Sequence, residues 1–224
     1  MRTLARGSLV VSCQAGPGNP FNQPQLMALM ARAAEAGGAR GIRANGADDV
    51  AAIRAVTTLP IIGINKLGDM GGVFITPTFE SAVGIVAAGA DLIALDGTLR
   101  PRPDGQVLQQ QIERIHAELG VPVVADVDTL DAGLAARDAG ADLVATTLSG
   151  YTQTDGSTPN GPDVELVRQL VARLDCPIIA EGRIRTDSDV RAVCDAGAYA
   201  VVVGTAITNP MAITAHLTGA IPPP

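Results

Sequence analysis

The sequence predicts a single-domain (β/α)8 barrel of the α/β class, because eight short apolar segments alternate with helical stretches along its 224 residues. Four of these segments follow the same element, a helix end closed by a glycine. The four glycines are Gly38, Gly89, Gly140 and Gly197, so successive ones lie 51, 51 and 57 residues apart. This spacing fits two successive βα units, and four pairs of units complete a barrel.

The predicted strands are rich in Val, Ile, Leu and Ala, which suits a closed parallel sheet covered by helices. In chain order they are residues 9–13, 40–43, 61–64, 92–96, 122–126, 143–147, 178–181 and 200–204. The helical stretches include residues 25–35 and 163–174. A doubly wound open sheet is the alternative, but the count of eight strands and the lack of a G-x-G-x-x-G motif weaken it. We therefore assign residues 1–224 to one barrel domain, with residues 222–224 as a frayed tail.

Composition excludes several classes of function. The formal net charge of −7 argues against nucleic-acid binding by bulk electrostatics. No apolar run reaches about 18 residues, so neither a transmembrane helix nor a membrane partner is expected. Residues 1–7 are too short and too polar for a secretory signal, and the three cysteines form no C-x-x-C motif. The chain is thus expected to be reduced and cytoplasmic, with Cys13 as a buried thiol rather than a nucleophile.

Polar residues follow the apolar strands, at the points where the strands end. All carboxyl ends of a parallel barrel open onto one face, where the active sites of such barrels lie. A buried strand that ends in a charge is costly unless that end faces a polar cavity. The strand-end residues are therefore expected to line one pocket. They are Gln14, Arg43 with Asn45, Lys66, Asp96, Asp126, Thr146 with Thr147, Glu181, and Gly204 with Thr205.

Lys66 and Glu181 are the candidates for proton transfer. Among apolar walls and beside a cation such as Arg43, the pKa of Lys66 would fall, which makes the lysine a usable acid or base near neutral pH. Lys66 could instead be an ordinary solvated lysine, or it could form a Schiff base. Glu181 could act as a general acid or base, or it could be the structural partner of an arginine.

Asp96 and Asp126 have three open interpretations at this point: ligands for sugar hydroxyls, metal ligands, or charges at strand ends. The chain has only two histidines, His116 and His216, both in helical stretches and in no H-x-H or H-E-x-x-H motif. A transition-metal site is therefore not expected.

Two glycines indicate a phosphate site. Gly182 follows the seventh strand and Gly204 follows the eighth. In many barrels the loops after these two strands bind phosphate, and a glycine lets the phosphate approach the backbone closely. Turn formation alone is the alternative reason for glycine at these places.

The chain resembles the bacterial N-acetylmannosamine-6-phosphate 2-epimerases, a family within the ribulose-phosphate-binding barrel group. Two of the matching segments are Pro-Ile-Ile-Gly-Ile-Asn-Lys at residues 60–66 and Ile-Ala-Glu-Gly-Arg-Ile at residues 179–184. The others are residues 10–15, 41–46, 73–78, 93–98, 100–103, 125–127, 146–152 and 202–208. The matches run in order from residue 10 to residue 208 and are together highly specific.

The resemblance implies inversion at C2 of N-acetylmannosamine 6-phosphate to N-acetylglucosamine 6-phosphate, a step in amino-sugar and sialic-acid breakdown, with no cofactor. Lys66 matches the lysine that exchanges the C2 proton, and Glu181 matches the glutamate that supports it and the ring opening. Residues matching substrate-binding positions are Gln14, Arg43, Asp126, Gly182, Arg183, Gly204 and Thr205. Asn209 stands where many family members have an arginine.

Two other functions remain as alternatives to the epimerase. One is another phosphosugar enzyme on the same barrel, such as a Schiff-base aldolase or an isomerase. The other is a sugar-phosphate-binding protein without catalysis, which would need no lysine–glutamate pair. Small barrels often form homodimers, and the apolar helical segment around residues 212–217 could serve as the interface.

Overall fold

A closed barrel of eight parallel strands forms the centre of the computed structural model, which describes residues 2–69, 71–152 and 160–222. The strands are β1 Ser8–Cys13, β2 Gly41–Asn45, β3 Ile61–Ile64, β4 Leu92–Asp96, β5 Val123–Asp126, β6 Leu143–Ala145, β7 Ile178–Glu181 and β8 Ala200–Val203. Each strand pairs with its neighbour in the chain, and β8 pairs with β1 to close the barrel. The predicted (β/α)8 fold is confirmed.

Helices follow the strands and cover the outside of the barrel. They are α1 Pro24–Ala36, α2 Ala47–Arg54, α3 Phe79–Ala87, α4 Leu108–Arg114, α5 Leu130–Asp138, α6 Val164–Arg173, α7 Asp187–Asp195, the short α8 Thr205–Thr208, and α9 Pro210–Thr218. A π-helical turn, Ile115–Leu119, continues α4. Of the predicted frayed tail, only Pro222 lies within the described residues. Across those residues, no helix has both the length and the apolar character needed to cross a bilayer.

The helix-ending glycines build the repeated turn into the even-numbered strands. Gly38, Gly89, Gly140 and Gly197 all have φ between 97° and 108°, a left-handed conformation that favours glycine. In each case the next residue donates its N–H back to a carbonyl five residues earlier, as Ala141 does to Ala136 at 3.1 Å. The residue after that pairs with the preceding strand, as Asp142 does with Val123 at 3.0 Å. The glycine thus ends the helix and sets the entry of the strand.

Alternation along the strands divides the core into two layers. On β1, Val10 packs inside the barrel while Val11 packs against the helices. On β5, Val124 is inside and Val123 and Ala125 are outside. The same period of two directs one face of every strand end into the barrel mouth.

Cys13 is fully buried between the sheet and the helices. Burial, together with the charge of Asp49, raises the pKa of its thiol to about 12. The thiolate is therefore scarce near neutral pH, in agreement with the predicted structural role.

Candidate active site

Arg43 lies at the centre of the barrel mouth and joins two carboxylates. Its Nη1 and Nη2 atoms donate to Asp126 Oδ1 and Oδ2 at 3.1 and 2.5 Å, and Nη1 lies 3.1 Å from Glu181 Oε2. The side chains of Arg43 and Asp126 are 1% and 0% exposed. Burial alone would lower the pKa of Arg43, but the two carboxylates outweigh it and raise that pKa. Arg43 therefore stays charged and ties β2 to β5 and β7.

Two consecutive threonines after β6 contact Glu181 in different ways. The Thr146 hydroxyl accepts a hydrogen bond from the Glu181 N–H at 3.1 Å and donates to the Glu181 carbonyl at 2.9 Å, which fixes the backbone at the end of β7. The Thr147 hydroxyl lies 2.7 Å from Asp126 Oδ1 and 3.1 Å from Glu181 Oε2. Thr147 is therefore in contact with both carboxyl groups, whereas Thr146 only positions the chain.

The backbone around Lys66 is fixed by neighbours on three sides. The Lys66 N–H donates to Asn45 Oδ1 at 2.8 Å. Lys66 forms an antiparallel bridge with Ile75, and Leu67 donates to the Phe74 carbonyl at 2.9 Å. These contacts hold the start of the β3–α3 loop and place the lysine side chain in the cavity wall.

The pKa values of Lys66 and Glu181 are shifted in opposite directions. Partial burial lowers the pKa of Lys66, and the charge of Arg43 lowers it further against the opposing effect of Glu181 and Asp126. Burial raises the pKa of Glu181, with Arg43 opposing and Asp126 adding to the rise. Both shifts favour the uncharged forms, a free amine and a protonated carboxyl. The site can thus present a base and an acid together.

A cavity of about 340 Å³ opens in front of these residues. Its wall is apolar on one side and carries charged and amide groups on the other. The apolar residues include Phe74, Ile75, Leu148, Ile184 and Val202, and the polar ones include Ser12, Gln14, Arg43, Lys66, Thr147, Glu181, Arg183, Arg185, Thr205 and Asn209.

Gln14 lies at the floor of this cavity. Its Nε2 donates to Ser12 Oγ at 2.7 Å, while its Oε1 is buried and has no hydrogen-bond partner among the described residues. A buried acceptor without a partner costs free energy, about 1–3 kcal/mol, until a ligand donates to it. Gln14 is therefore suited to accept a hydrogen bond from a substrate N–H or O–H.

Free backbone N–H groups line the far side of the cavity. The amides of Gly182, Arg183, Gly204 and Thr205 donate to no acceptor in the described part of the chain. Gly182 has φ of 107°, and a Cβ on Gly204 would lie 3.3 Å from Ser12 Cβ. No side chain of their own therefore covers the backbone at Gly182 and Gly204 in the loops after β7 and β8, and the four amides can bind an anion.

Arg183 lines the cavity, but its guanidinium is already engaged. It donates to the carbonyl of Gly161 at 2.7 Å and to the carbonyl of Ser149, and it lies 5.3 Å from the centre of the Tyr151 ring. Arg183 thus links Ser149 to Gly161 through its guanidinium, and it offers a ligand its backbone N–H. Asn209, also in the wall, caps α9 by accepting from the Ala212 N–H at 3.1 Å.

The structure brings most of the predicted site residues together. Eight of them line the cavity: Gln14, Arg43, Lys66, Glu181, Gly182, Arg183, Gly204 and Thr205. Asp126 lies behind the wall and acts on the cavity through Arg43 and Thr147. Asp96, another strand-end carboxylate, is turned away and accepts from the hydroxyl of Thr98 at 2.6 Å and from Arg100 Nη2 at 2.7 Å.

Sequence reasoning missed Ser12 and Arg185, and it placed Thr147 among the residues lining the pocket without giving it a role. For Thr147 a signal was present, because alternation along β6 puts it on the same face as the inward residues Leu143 and Ala145. Arg185 lies two residues beyond the end of the Glu-Gly-Arg motif, on a loop whose path the sequence pattern does not fix.

The carboxyl ends of the strands bring a lysine and a glutamate with shifted pKa values, together with free backbone N–H groups, to one cavity, which is typical of the class of barrel enzymes. Comparison with known proteins narrows this class to one family. The family described as "Putative N-acetylmannosamine-6-phosphate epimerase" matches residues 27–222. The chain therefore belongs to the N-acetylmannosamine-6-phosphate epimerase family, and it is an isomerase.

Individual relatives match over nearly the whole chain. A protein named "Putative N-acetylmannosamine-6-phosphate 2-epimerase" from Cutibacterium acnes is 52% identical over 210 residues, which cover 93% of this chain and 91% of the relative. A relative of the same name from Synechococcus elongatus is 48% identical and covers 91% of this chain and 89% of its own length. The solved structure of the N-acetylmannosamine-6-phosphate 2-epimerase from Clostridium perfringens is similar with a TM-score of 0.92 and 41% identity, covering 97% of this chain and 94% of that chain.

Proposed function

We propose that this protein inverts C2 of N-acetylmannosamine 6-phosphate and so forms N-acetylglucosamine 6-phosphate. The observation that carries the proposal is the pair formed by Lys66 and Glu181, whose pKa values are shifted toward an uncharged base and an uncharged acid in one cavity. The relatives' names support the choice of substrate. An amino sugar epimerises at C2 by proton transfer, which needs these two groups.

Ring opening comes first in the proposed reaction. The C2 proton becomes acidic only when C1 is an aldehyde, so a proton must leave the C1 hydroxyl and another must reach the ring oxygen. Glu181, whose pKa burial raises, lies within the buried cluster and supplies the proton to the ring oxygen. Arg43 stabilises the Glu181 carboxylate that remains until Lys66 has taken the proton of the C1 hydroxyl and passed it to that carboxylate.

Lys66 then exchanges the C2 proton. Its neutral amine takes the proton, and the electron pair of the C2–H bond moves into the C1–C2 bond as the carbonyl oxygen becomes an enolate. The charge of Arg43 and of the protonated Lys66 stabilises this enolate. Glu181 gives a proton to the opposite face of C2, which completes the inversion, and the proton on Lys66 then passes to the Glu181 carboxylate.

The four free amides form the proposed phosphate site. A 6-phosphate placed against Gly182, Arg183, Gly204 and Thr205 would accept from N–H groups in two adjacent loops. Anchoring the substrate at C6 lets the opposite end of the open chain reach Lys66 and Glu181. The phosphate thus converts binding free energy into orientation of the reacting carbon.

The direct test is incubation with N-acetylmannosamine 6-phosphate in D2O, followed by proton NMR at C2. We expect the epimer to form and deuterium to enter at C2. In Lys66→Ala both signals should be lost while the phosphosugar still binds. A wild-type protein that gives neither epimer nor exchange would contradict the proposal.

A Schiff-base aldolase is distinguished from an epimerase by trapping. The lowered pKa of Lys66 favours its neutral amine, which is also suited to attack a carbonyl carbon. Borohydride treatment in the presence of substrate should leave an epimerase unlabelled, whereas an aldolase would carry a covalent sugar adduct on Lys66. A non-catalytic binding protein would show saturable binding without turnover.

We further propose cytoplasmic action in amino-sugar and sialic-acid breakdown, and a homodimer. The support for the dimer comes from α9, because none of its residues is buried. Its apolar side chains Met211 and Leu217 are 54% and 61% exposed. Burying these side chains against a second copy would remove apolar area from water. Light scattering after size-exclusion chromatography should give twice the chain mass of 22.8 kDa. A monomer that is active would remove the dimer from the proposal.

A further inference from the structure

Four polar atoms form a closed ring of contacts at the floor of the site. Thr147 Oγ1 lies 2.7 Å from Asp126 Oδ1 and 3.1 Å from Glu181 Oε2. Arg43 Nη1 lies 3.1 Å from each of the same two oxygens. Arg43 Nη1 donates a hydrogen bond to Asp126 Oδ1 and forms an ion pair with Glu181 Oε2. The Thr147 hydroxyl carries one proton and can donate to only one of the two oxygens.

The protons in this ring decide the ionisation of Glu181. If both carboxyls were ionised, one Thr147 contact would bring two oxygens together with no proton between them. The contact with Asp126 is the shorter, at 2.7 Å, which is typical of a hydroxyl that donates to a carboxylate. The Thr147 hydroxyl then turns a lone pair toward Glu181 Oε2, and the 3.1 Å contact is completed by a proton on that oxygen.

We propose that Thr147 is a positioning residue that keeps the acidic proton on Glu181, by accepting it while donating its own proton to Asp126. This assignment rests on the proposed epimerase function only for its catalytic consequence. When Glu181 transfers its proton to the ring oxygen, the hydroxyl of Thr147 can rotate to donate to the new carboxylate, since Asp126 keeps two bonds to Arg43. The hydroxyl thus serves both states of the acid.

The charged groups that face Glu181 come from three other elements. They are Arg43 of β2, Lys66 after β3, and Asp126 of β5. Burial and Asp126 raise the pKa of Glu181 and favour the protonated carboxyl, while Arg43, Lys66 and a Thr147 hydroxyl that donates to Glu181 lower it and favour the ionised one. A hydroxyl that accepts from Glu181 adds instead to the effect of burial and Asp126. The two orientations of Thr147 therefore predict opposite effects of removing the hydroxyl.

The test is a titration of the Glu181 carboxyl in Thr147→Val and Thr147→Ser. Infrared difference spectra across pH follow the carbonyl band of the protonated acid, assigned by its loss in Glu181→Gln. In Thr147→Val we expect the Glu181 carboxyl to ionise at a pH about one unit lower than in the wild type. In Thr147→Ser the Glu181 carboxyl should titrate as in the wild type. Thr98→Val is the matched control, because it removes a threonine-to-aspartate bond of 2.6 Å at the end of the neighbouring strand β4, away from the cavity.

Turnover gives a second readout. In Thr147→Val the alkaline limb of the pH profile of kcat should move to lower pH and kcat should fall about tenfold, with KM little changed. Thr147→Ser should restore both. If the Glu181 carboxyl of Thr147→Val titrates at the same pH as in the wild type or at a higher pH, the inference is overturned. Because the infrared measurement needs no substrate, it stays decisive even if the proposed epimerase reaction fails. Thr147→Ala, which also removes the hydroxyl, supplies the answer if the valine variant does not fold.

Discussion

Glu181 gains its reactivity at a cost in stability, since its carboxyl is 13% exposed and lies beside Asp126. A carboxyl whose pKa is raised on folding contributes stability at low pH and loses it as pH rises through the folded pKa. Glu181→Gln imitates the uncharged acid at all pH values. We therefore expect this variant to be inactive and its advantage in Tm over the wild type to increase from acidic to alkaline pH, by a few °C.

Calorimetry or circular dichroism from pH 5 to pH 9 would measure this difference in Tm. Glu165→Gln is the matched control, because Glu165 is an exposed glutamate on α6 that pairs with Arg168 on the surface. That control should follow the wild-type profile. A Tm difference for Glu181→Gln that is constant with pH would show that Glu181 does not change its ionisation in this range.

Arg185 is the residue most available to a phosphate. Its side chain lines the cavity and is exposed, and its guanidinium makes no hydrogen bond or salt bridge within the described ranges. Asn209, at the position where family members often carry an arginine, is an uncharged helix cap here. We expect Arg185→Gln to raise KM for the phosphosugar about tenfold while kcat changes little.

Steady-state kinetics would test this assignment against Arg191→Gln. Arg191 pairs with Asp187 on the exposed face of α7, so its loss removes the same charge from the protein without touching the cavity. Equal effects of the two variants would show that Arg185 acts only through the overall field.

At the scale of the element, the repeated glycine turn is a structural requirement. Gly140 has φ of 101°, and a Cβ there would contact Ile112 at 3.5 Å. An L-residue in this conformation is strained, so Gly140→Ala should cost about 1–2 kcal/mol. Gly84 lies in the middle of α3 with no atom near its Cβ position, and Gly84→Ala should stabilise by about 0.5–1 kcal/mol.

Denaturant unfolding would measure both changes in unfolding free energy, which are expected to have opposite signs in Gly140→Ala and Gly84→Ala. Both substitutions add one methyl group, and only the backbone conformation differs. If Gly140→Ala were neutral, the turn would accept a different conformation and the glycine spacing of the sequence would be incidental. Activity should be unchanged in Gly84→Ala, since α3 contributes no residue to the cavity wall.

The extent to which sequence predicts this molecule follows from the same elements. Apolar runs and helix-ending glycines predict the strands because burial and positive φ are local requirements, and β3, β4 and β7 have the predicted bounds. The period of two places Asp96 and Asp126 on the same inward face, in register with each other. It does not predict that Asp96 pairs with Arg100 while Asp126 pairs with Arg43. Arg100 lies only four residues beyond Asp96, on a loop whose path the pattern does not fix, and Arg43 lies 83 residues before Asp126.

At the scale of the whole molecule, the ion pair between Arg43 and Asp126 connects β2 to β5 across the barrel mouth. The ion pair is almost completely removed from water, and each partner compensates the charge of the other. Asp126→Leu leaves Arg43 with Glu181 as its remaining carboxyl, a group that burial drives toward the neutral form. We expect this variant to lose about 3–5 kcal/mol of unfolding free energy.

The double variant Arg43→Met, Asp126→Leu separates the stability of the barrel from its function. It removes both charges and fills the space with apolar side chains, which is often neutral or stabilising for a buried ion pair. We expect it to recover most of the lost unfolding free energy while remaining inactive, since the buried guanidinium of Arg43, which lies 3.1 Å from Glu181 Oε2, is then missing and cannot stabilise the carboxylate formed in ring opening. Urea unfolding measures the first quantity and C2 exchange in D2O the second. If the double variant stays as unstable as Asp126→Leu, the ion pair is needed for the fold itself; if it keeps C2 exchange, Arg43 has no part in the proton transfer.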